Sequence, residues 1–357
     1  MSREAAMTPG MALGMACPAP ILRKDAVLLG HGSGGKLSAE LVREVFLPAF
    51  QNPALAALND QAIVNINGSR IAFTTDSFVV KPLFFPGGDI GSLAVHGTMN
   101  DLAMGGATPL FLSVALIIEE GFPLDELRKI TASLQRAAES AGVCVVTGDT
   151  KVVEKGSGDG IFINTSGIGI VKPGVELSAD RARPGDTVLL SGTIGDHGIA
   201  IMAQREGIEF ETTIQSDSAA LHTLVKVMLD TGAEFRCLRD PTRGGLSSTL
   251  NEIAAQSGVG IELDERAIPV REEVKGACEI LGLDPLYVAN EGKLVAIIEA
   301  SAVERVLRAM REHPLGREAA AIGKVSSAHP RMVTLRTRLG TSRIVDMIAG
   351  DQLPRIC

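Results

Sequence analysis

The alternation of strand-like and helix-like segments along this chain pauses once, at Pro173-Gly174 and Pro184-Gly185, before a new apolar strand begins at 187. Paired proline and glycine residues are typical of turns between structural units. A chain of 357 residues also exceeds the usual size of a single hydrophobic core. We therefore predict an α/β fold with mixed α+β sheets, divided into two domains at residues 26–173 and 174–346.

Shorter patterns predict individual elements. The segment AIVNINGSRIAFTTD places two β-rich runs on either side of Asn67-Gly68, which is a strong hairpin signal. The segment PLDELRKITASLQRAAESAG has the period of an amphipathic helix that ends at Gly142. In the second half, similar patterns predict helices near 197–206, 219–229, 246–257 and 302–311, and a strand at 294–299.

The two ends of the chain lack such patterns. The apolar stretch within residues 1–25 is interrupted by Pro9 and Gly10, so it is a poor match to a signal peptide and is too short to span a membrane. We therefore predict that residues 1–25 form a disordered extension. After SRIVDMIAG the periodicity stops, and residues 347–357 are predicted to form a mobile tail that ends in PRIC. An exposed terminal thiol at Cys357 is a liability unless the sulfur has a function.

Charge and cysteine usage exclude several classes of protein. The net charge of −8, with no concentrated run of Lys and Arg, gives no footprint for nucleic acid or for an anionic membrane. The cysteines at 17, 144, 237, 278 and 357 show neither CxxC spacing nor a disulfide framework. This pattern suits the reducing cytosol, and it indicates a cytoplasmic protein without a zinc site.

The segment LLGHGSGGKLS resembles a phosphate-binding turn. Backbone N–H groups at Gly32, Gly34 and Gly35 are candidates to face a phosphate, and Lys36 would add charge. The segment nearly matches a Walker A loop, but Leu37 stands where a hydroxyl would ligate magnesium. An ordinary flexible turn between strand and helix explains the glycines equally well.

A stronger signal is a set of five aspartates in apolar or glycine-rich settings: Asp60, Asp76, Asp101, Asp149 and Asp240. A buried carboxylate is costly unless a positive charge offsets it. Mg²⁺ prefers hard oxygen ligands, so converging aspartates would hold Mg²⁺-ATP without a P-loop. For any one of them the alternative is an ordinary turn or helix-cap residue.

The order of these motifs carries a family resemblance. GHGSGGK, NDQAI, TTDSF, GTMNDLAMGGATP, TGDTKVV, RDPTRGGL and NEGK, closing on PRIC, resemble the HypE family of hydrogenase maturation factors. That family belongs to the aminoimidazole ribonucleotide (AIR) synthetase and selenophosphate synthetase superfamily. The resemblance runs from about residue 26 to Cys357 and implies a two-domain fold of the PurM/AIR-synthetase type with a flexible C-terminal tail. The reactive Cys or selenocysteine that selenophosphate synthetases carry at the glycine-rich loop is absent from GHGSGGK.

The resemblance also implies a reaction. The partner HypF would carbamoylate Cys357, and ATP with Mg²⁺ would drive dehydration of the thiocarbamate to a thiocyanate. Its cyanide would pass to the iron held by a HypC–HypD complex, and the protein would act as a homodimer with paired N-terminal domains. The implied metal ligands are Asp60, Asp76, Asp101 and Asp240, and the implied ATP-binding residues are Gly32, Gly34, Gly35, Lys36, Asn100, Asp149 and Asn290.

Two further residues suit this chemistry. Lys151 follows Asp149 by two residues in an extended segment, so both side chains are expected on one side, where Lys151 would stabilise developing charge. Glu291, in the turn VANEGKLV, is the candidate proton acceptor. A surface lysine and an ordinary turn glutamate are the alternatives. His31, His96 and His197 are interpreted as structural or solvated residues.

Two other functions remain open from the sequence. One is an enzyme of the same fold that acts on a diffusible small-molecule amide, for which Cys357 would be dispensable. The other is a non-catalytic carrier whose tail delivers a group made elsewhere. Loss of ATP turnover would separate the carrier from both enzymes.

Overall fold

The computed structural model describes residues 26–207, 214–350 and 355–357. The predicted disordered extension, which includes Cys17, lies outside the described residues, as does Pro354 in the predicted mobile tail.

Within residues 26–171, the strands build a five-stranded main sheet and a separate two-stranded sheet. The helices are α1 (Lys36–Leu41), α2 (Leu47–Phe50), α3 (Pro53–Ala56), α4 (Ile90–Met104) and α5 (Leu124–Ser140). The strands are β1 (Ala62–Ile66), β2 (Ser69–Phe78), β3 (Phe84–Phe85), β4 (Gly88–Asp89), β5 (Ala107–Glu119), β6 (Cys144–Val153) and β7 (Ile161–Val171). The main sheet has the order β1-β2-β7-β5-β6, in which β5 and β6 are parallel and the other neighbours are antiparallel.

The predicted hairpin and amphipathic helix are confirmed. Asn67 and Gly68 join β1 to β2 with φ angles of 50° and 83°, which is the left-handed backbone that a two-residue hairpin requires. Helix α5 buries Ile130 and Leu134 against α4, and its chain reverses at Gly142 with a φ of 68°.

The second half, within residues 187–345, builds a larger sheet. Its strands are β8 (Thr187–Leu190), β9 (Phe235–Arg239), β10 (Gly260–Asp264), β11 (Val295–Ile298), β12 (Ala320–Ser326), β13 (Val333–Arg336) and β14 (Ser342–Val345). Its helices are α6 (Asp196–Glu206), α7 (His222–Asp230), α8 (Gly245–Ser257), α9 (Glu272–Leu281) and α10 (Val303–Glu312). The strand order is β14-β13-β10-β12-β8-β11-β9, with β10 and β13 parallel and the other neighbours antiparallel.

Strand β8 shows why this sheet is covered on both faces. Val188 and Leu190 enter a core cluster that includes Leu250 of α8, whereas Leu189 enters a second cluster with α7 and α10. Because side chains alternate along a strand, an unbroken apolar run such as TVLL is stable where both faces are buried.

The mixed α/β architecture confirms the predicted fold class. Helices α6, α7, α8 and α10 and strand β11 match the predicted elements with small shifts at their ends. Helix α9 and strands β9, β10, β12, β13 and β14 were not predicted. The domain boundary at 174 and the mobility of the tail stay predictions.

Helix α4 joins the two halves. It packs under β2 and β7, and it also contacts α7 and β9 of the second half. Ala103 and Met104 at its end are fully buried in the cluster that contains Leu224 and Met228 of α7. A nearly all-buried helix therefore sets the position of one sheet relative to the other.

A pair of glycine substitutions tests the backbone argument. Gly68→Ala places a Cβ in open space but at a φ of 83°, so we expect a loss of about 1 kcal/mol in the free energy of unfolding. Gly276→Ala, also in open space but inside α9, should instead gain about 0.5–1 kcal/mol. Urea unfolding of both variants measures this, and two changes of the same sign would contradict the assigned backbone conformations.

Candidate active site

Three aspartates from separate elements meet where the two halves join. Asp60 precedes β1, Asp101 lies on α4, and Asp240 follows β9. One carboxylate oxygen from each lies within 4.8 Å of the others. The contacts of α4 with both β2 and β9 bring these side chains together.

Polar neighbours hold this group in place. Thr74 Oγ1 lies 2.7 Å from Asp101 Oδ2 and 2.9 Å from the Asp60 carbonyl oxygen. Arg239 Nε pairs with Asp60 Oδ1 at 2.8 Å, and its Nη2 donates to Glu252 Oε2 at 2.7 Å. Arg239 therefore divides its charge between the aspartate group and a glutamate on α8.

The carboxylates destabilise one another's charged forms. Burial raises the pKa of Asp60 to about 6 and that of Asp240 to about 8. The pKa of Asp101 lies well above its usual range, mainly because of burial and then because of Asp240, Asp76 and Asp60. Burial also raises the pKa of Asp76. The cluster thus holds more negative charge than its neighbours offset.

This donor set fits a hard divalent cation. All ligand atoms on offer are carboxylate oxygens, which is the chemistry that Mg²⁺ prefers. Asp60 Oδ2 is buried and has no hydrogen-bond partner among the described residues, although native proteins seldom leave such an atom unpaired. Asp60, Asp101 and Asp240 are therefore suitable ligands, with Asp76 close enough to raise the pKa of Asp101 and Asp240.

The last residues of the chain enter the same region. The backbone N–H groups of Val79 and Lys81 donate to the carbonyl oxygens of Cys357 at 3.0 Å and Arg355 at 3.1 Å, respectively. The side chain of Ile356 is 2% exposed and packs in the cluster that contains Phe78 and Phe85. The chain end is therefore docked against the body of the protein.

Cys357 lies among charged groups. Burial raises the pKa of its thiol, and the Arg243 guanidinium opposes that shift, while Glu291 and Asp76 add to it. In turn, the pKa of Arg243 is raised, mainly by Cys357. Arg243 Nη1 also donates to the Gly32 carbonyl at 2.9 Å, which ties the guanidinium to the glycine-rich loop.

Glu291 is 3% exposed, and its Oε1 has no hydrogen-bond partner in the described part of the chain. Burial raises its pKa well above the usual range, and the charges of Asp240, Asp76 and Asp217 add to the shift. A carboxylate in such a setting has an increased affinity for a proton, as a general base needs.

The glycine-rich loop packs closely against the second half. A Cβ at Gly34 would lie 2.5 Å from the Arg243 carbonyl oxygen, and one at Gly35 would lie 2.3 Å from the Ile348 carbonyl oxygen. Lys36 pairs with Asp346 at 2.5 Å on the exposed surface. Close packing accounts for these two glycines, and phosphate binding by Gly32, Gly34, Gly35 and Lys36 stays a prediction.

The two asparagines predicted to bind ATP hold backbone groups in the structure, and ATP binding by them stays a prediction. Asn100 Nδ2 donates to the carbonyls of Ala219 at 3.1 Å and Glu291 at 3.0 Å. Asn290 Nδ2 donates to the Pro241 carbonyl at 2.8 Å, and its Oδ1 accepts from Gly195 N–H at 2.8 Å. Both amides connect the loops that carry Glu291 and Asp240, so their described contacts support a structural role beside the site.

Asp149 and Lys151 lie outside this cluster. They form an exposed ion pair of 2.5 Å on β6, which confirms that both side chains share one side of the strand. In the sheet order, β7 and β5 separate β6 from the strand that carries Asp76. The structure therefore does not bring Asp149 or Lys151 to the other site residues within one chain.

Two basic residues of the site were not predicted from the sequence. Arg239 and Arg243 both stand in the motif LRDPTRGGL, in which only Asp240 was predicted to be a site residue. The signal was present, because a basic residue beside a buried aspartate is a candidate counter-charge. Its relation to Cys357, more than a hundred residues later, requires the fold.

Family models match both halves of the chain. Residues 58–171 match the N-terminal domain of AIR synthase related proteins, and residues 183–333 match their C-terminal domain. The fold and the acidic cluster thus define an AIR synthase related protein.

Comparison with individual proteins narrows the class. Carbamoyl dehydratase HypE of Azotobacter vinelandii is 60% identical over 336 residues, which cover 94% of this chain and 98% of that protein. A crystal structure of a HypE-HypF complex is similar with a TM-score of 0.82 and 53% identity, covering 86% of this chain and 99% of that chain. HypE in complex with ATP gives a TM-score of 0.78 and 50% identity, with 93% and 100% covered. The chain belongs to the HypE family of carbamoyl dehydratases.

The charge cluster predicts a pH dependence that a cation should reverse. A carboxyl group whose pKa is raised on folding stabilises the protein less as the pH rises from the unfolded value to the folded value. In metal-free protein the stabilising contribution of Asp240 should therefore fall between about pH 4 and pH 8, whereas His96, whose pKa burial lowers to about 4, contributes in the opposite direction below pH 6.5. Mg²⁺ should raise Tm more at pH 8 than at pH 5, because the ionised carboxylates bind it.

Thermal unfolding of Asp240→Asn provides the test. This variant should lose less Tm over that pH range and gain little from Mg²⁺. The matched control is Asp125→Asn, which alters an exposed aspartate on α5 that has no role in the proposed site and should respond like the parent. An equal Mg²⁺ effect in Asp240→Asn and the parent would argue against the proposed ligand set.

Proposed function

We propose that this protein uses ATP to dehydrate an S-carbamoyl group on its own Cys357 to a thiocyanate. The thiocyanate would supply the cyanide ligand for the iron of [NiFe]-hydrogenase. The observation that carries the proposal is the docked tail, in which Cys357 lies among Arg243, Glu291 and Asp76. A thiol that only carried a group between partners would gain nothing from being docked, half-buried, beside the acidic cluster.

The chemistry explains the need for ATP. Conversion of S–C(=O)–NH₂ to S–C≡N breaks the carbon–oxygen bond and both N–H bonds. Oxide is a very poor leaving group, whereas phosphate leaves readily, so ATP supplies the phosphoryl group with which the amide oxygen departs. The products are the thiocyanate, ADP and phosphate, and the two protons from nitrogen end on phosphate or in solvent.

The residues of the chain have separate roles in this scheme. Glu291 accepts a proton from the nitrogen, because it is buried, has an unpartnered oxygen and has a raised pKa. Arg243, anchored on Gly32, holds positive charge beside the sulfur, where negative charge develops on the carbamoyl oxygen. The docked tail keeps the reacting group next to both residues and away from bulk water.

Asp60, Asp76, Asp101 and Asp240 would hold Mg²⁺, which offsets charge on the phosphates. The glycine-rich loop contacts Arg243 through Gly32 and Gly34, which places the loop beside the proposed site. Its candidate contacts to ATP are Gly32, Gly34, Gly35 and Lys36. The HypE structure that contains ATP, at 50% identity, supports ATP as the nucleotide.

The partners follow from the same scheme. The HypE-HypF complex at 53% identity supports HypF as the carbamoyl donor. A HypC–HypD complex would accept the cyanide. The tail must leave its docking position to reach either partner, and a fully extended chain from 347 to Cys357 would span at most roughly 35 Å.

A homodimer accounts for the exposed outer face of the first sheet. Large apolar side chains are exposed there, including Phe73, Phe111, Val146, Ile168 and Ile170. Patches of this kind mark protein interfaces. Paired N-terminal sheets would cover them, and Asp149 and Lys151 on the edge strand β6 would then act on the partner copy's site.

We also propose that the protein is located in the cytoplasm. Cys144, Cys237, Cys278 and Cys357 are all free among the described residues, which suits the reducing cytoplasm. Among the described residues, no helix has the length and apolar character needed to cross a membrane.

Substitution of the terminal cysteine separates this proposal from the alternative of a diffusible amide substrate. Cys357→Ala should bind Mg²⁺-ATP like the parent, because its nucleotide site is built from the body of the protein. It should accept no carbamoyl group and form no thiocyanate. Intact-mass analysis of the C-terminal peptide after incubation with HypF, carbamoyl phosphate and Mg²⁺-ATP measures this, and cyanide delivery by Cys357→Ala would rule out the carrier role of the tail.

Substitution of Glu291 separates proton removal from nucleotide binding. Glu291→Gln keeps the size of the side chain but removes the base, so carbamoylated Cys357 should accumulate in the presence of Mg²⁺-ATP. A positioned base usually contributes about 10²–10⁴ in rate, so slow residual conversion is expected, with ATP affinity nearly unchanged. A single-turnover assay of thiocyanate formation measures the rate, and conversion at the parent rate would show that another residue is the base.

A further inference from the structure

Three consecutive residues, Ser216–Ser218, each contact a different part of the proposed site. Ser216 Oγ lies 2.8 Å from Nδ1 of His197, and Ser218 Oγ lies 2.9 Å from Nδ1 of His96. Between them, Asp217 Oδ1 accepts from the backbone N–H of Glu291 at 3.0 Å. No pattern in the sequence distinguished this segment.

Ser216 holds the ring of His197 in one orientation. The Ile356 carbonyl can only accept, so Nε2 of His197 carries the ring proton, and Nδ1 accepts from the Ser216 hydroxyl, whose oxygen also accepts from the N–H of Ser218 at 3.1 Å. The Nε2–H of His197 then points at the Ile356 carbonyl, 2.8 Å away. Burial lowers the pKa of His197, which keeps the ring neutral with a single N–H.

This contact bears directly on the sulfur, because Ile356 is the residue before Cys357. The His197 ring is fully buried and packs edge-on against Phe85 with ring centroids 5.6 Å apart. The Ile356 side chain occupies the same apolar cluster as Phe85. A rigid donor thus holds the last peptide group of the tail from one side, while Val79 N–H holds the Cys357 carbonyl from the other.

Asp217 holds the backbone of Glu291 in place, as His197 holds the backbone of the tail. Its carboxylate is 4% exposed, and Lys293 pairs with it at 3.2 Å. A Cβ at Gly292 would lie 1.8 Å from the Asp217 carbonyl oxygen, so the two segments touch along their backbones. Asn100 Nδ2 holds the Glu291 carbonyl at 3.0 Å, so the peptide groups on both sides of Glu291 are held.

We propose that Ser216 and Asp217 are positioning residues for the dehydration. Ser216 acts through His197 to place the Cys357 sulfur, and Asp217 places Glu291. The segment is itself anchored, because Ser216 N–H donates to the Pro86 carbonyl at 2.8 Å. One short piece of backbone therefore sets the separation of sulfur and base. This inference rests on the proposed function for its chemistry, but its contact to the tail is testable without that chemistry.

The first experiment measures the docking of the unmodified tail in the full-length protein. The rate at which iodoacetamide alkylates Cys357 reports how often the thiol leaves its site, and mass analysis of the C-terminal peptide separates it from the exposed Cys144. Ser216→Ala removes the hydroxyl that donates to Nδ1 and orients the His197 ring, so alkylation should become about 10-fold faster. Ser216→Thr keeps a hydroxyl and should stay near the parent rate.

Three further variants serve as controls for this experiment. Ser140→Ala, at the exposed end of α5, is the matched control and should alkylate like the parent. His197→Gln keeps an N–H donor in place of the ring and should alkylate more slowly than His197→Leu, which has none. Equal alkylation rates in Ser216→Ala, His197→Leu and the parent would overturn the tail contact.

The second experiment follows thiocyanate formation from carbamoylated Cys357 in a single turnover with saturating Mg²⁺-ATP. Ser216→Ala and Asp217→Ala should each slow it about 10-fold, since small misplacements of reacting groups are costly. Asp217→Asn keeps the Oδ1 acceptor and should retain most of the parent rate. In Asp217→Ala, the alkylation rate of Cys357 should be that of the parent.

The outcomes test the proposed function and the positioning roles of Ser216 and Asp217 separately. If the parent itself forms no thiocyanate, the proposed function fails, while the alkylation rates still test the tail contact. If Ser216→Ala alkylates faster but dehydrates at the parent rate, Ser216 does not position the sulfur for reaction. If Asp217→Asn is as slow as Asp217→Ala, a hydrogen bond to Glu291 is not the function of Asp217.

Discussion

The burial of several like charges in one place is the constraint on which this structure depends. Asp60, Asp101 and Asp240 come from three elements, and their oxygens lie within 4.8 Å of one another. Such an arrangement opposes folding unless a cation offsets it or protons remain on the carboxylates. The rest of the fold must therefore supply enough apolar burial to hold the cluster, and the nearly all-buried helix α4 does so from the middle of both halves.

The docked tail places Cys357 near the same buried carboxylates. A half-buried thiol beside carboxylates is a poor thiolate, because desolvation raises the pKa of Cys357 while Arg243 opposes the shift. That environment suits a sulfur that carries a neutral carbamoyl group better than one that must act as a nucleophile. Carbamoylation, which needs a reactive thiolate, would then take place where the tail is exposed, and dehydration where it is docked.

Much of this molecule could be predicted from local pattern. The Asn67-Gly68 hairpin, helix α5 and most helices of the second half follow from periodicity and turn chemistry, which depend on residues close together in the chain. Strands β5, β7, β9, β10, β12, β13 and β14 were not predicted, because what packs on the faces of a strand decides whether the segment forms one. The aspartates and the terminal cysteine were recognisable because an acidic group in an apolar setting and an unprotected thiol are costly wherever they fall.

The sequence by itself determined the chemical groups available: the carboxylates, a terminal thiol and a turn glutamate. Only the tertiary structure decided which of them meet. It brought Asp60, Asp101 and Asp240 together and placed Cys357 beside Arg243. Asp149 and Lys151 lie on an exposed edge strand, and the side chains of Asn100 and Asn290 donate to backbone carbonyls. The physical reason is that contacts such as His197 to Ile356 join residues far apart in the chain, and no local periodicity encodes a distance that depends on the packing of two sheets around one helix.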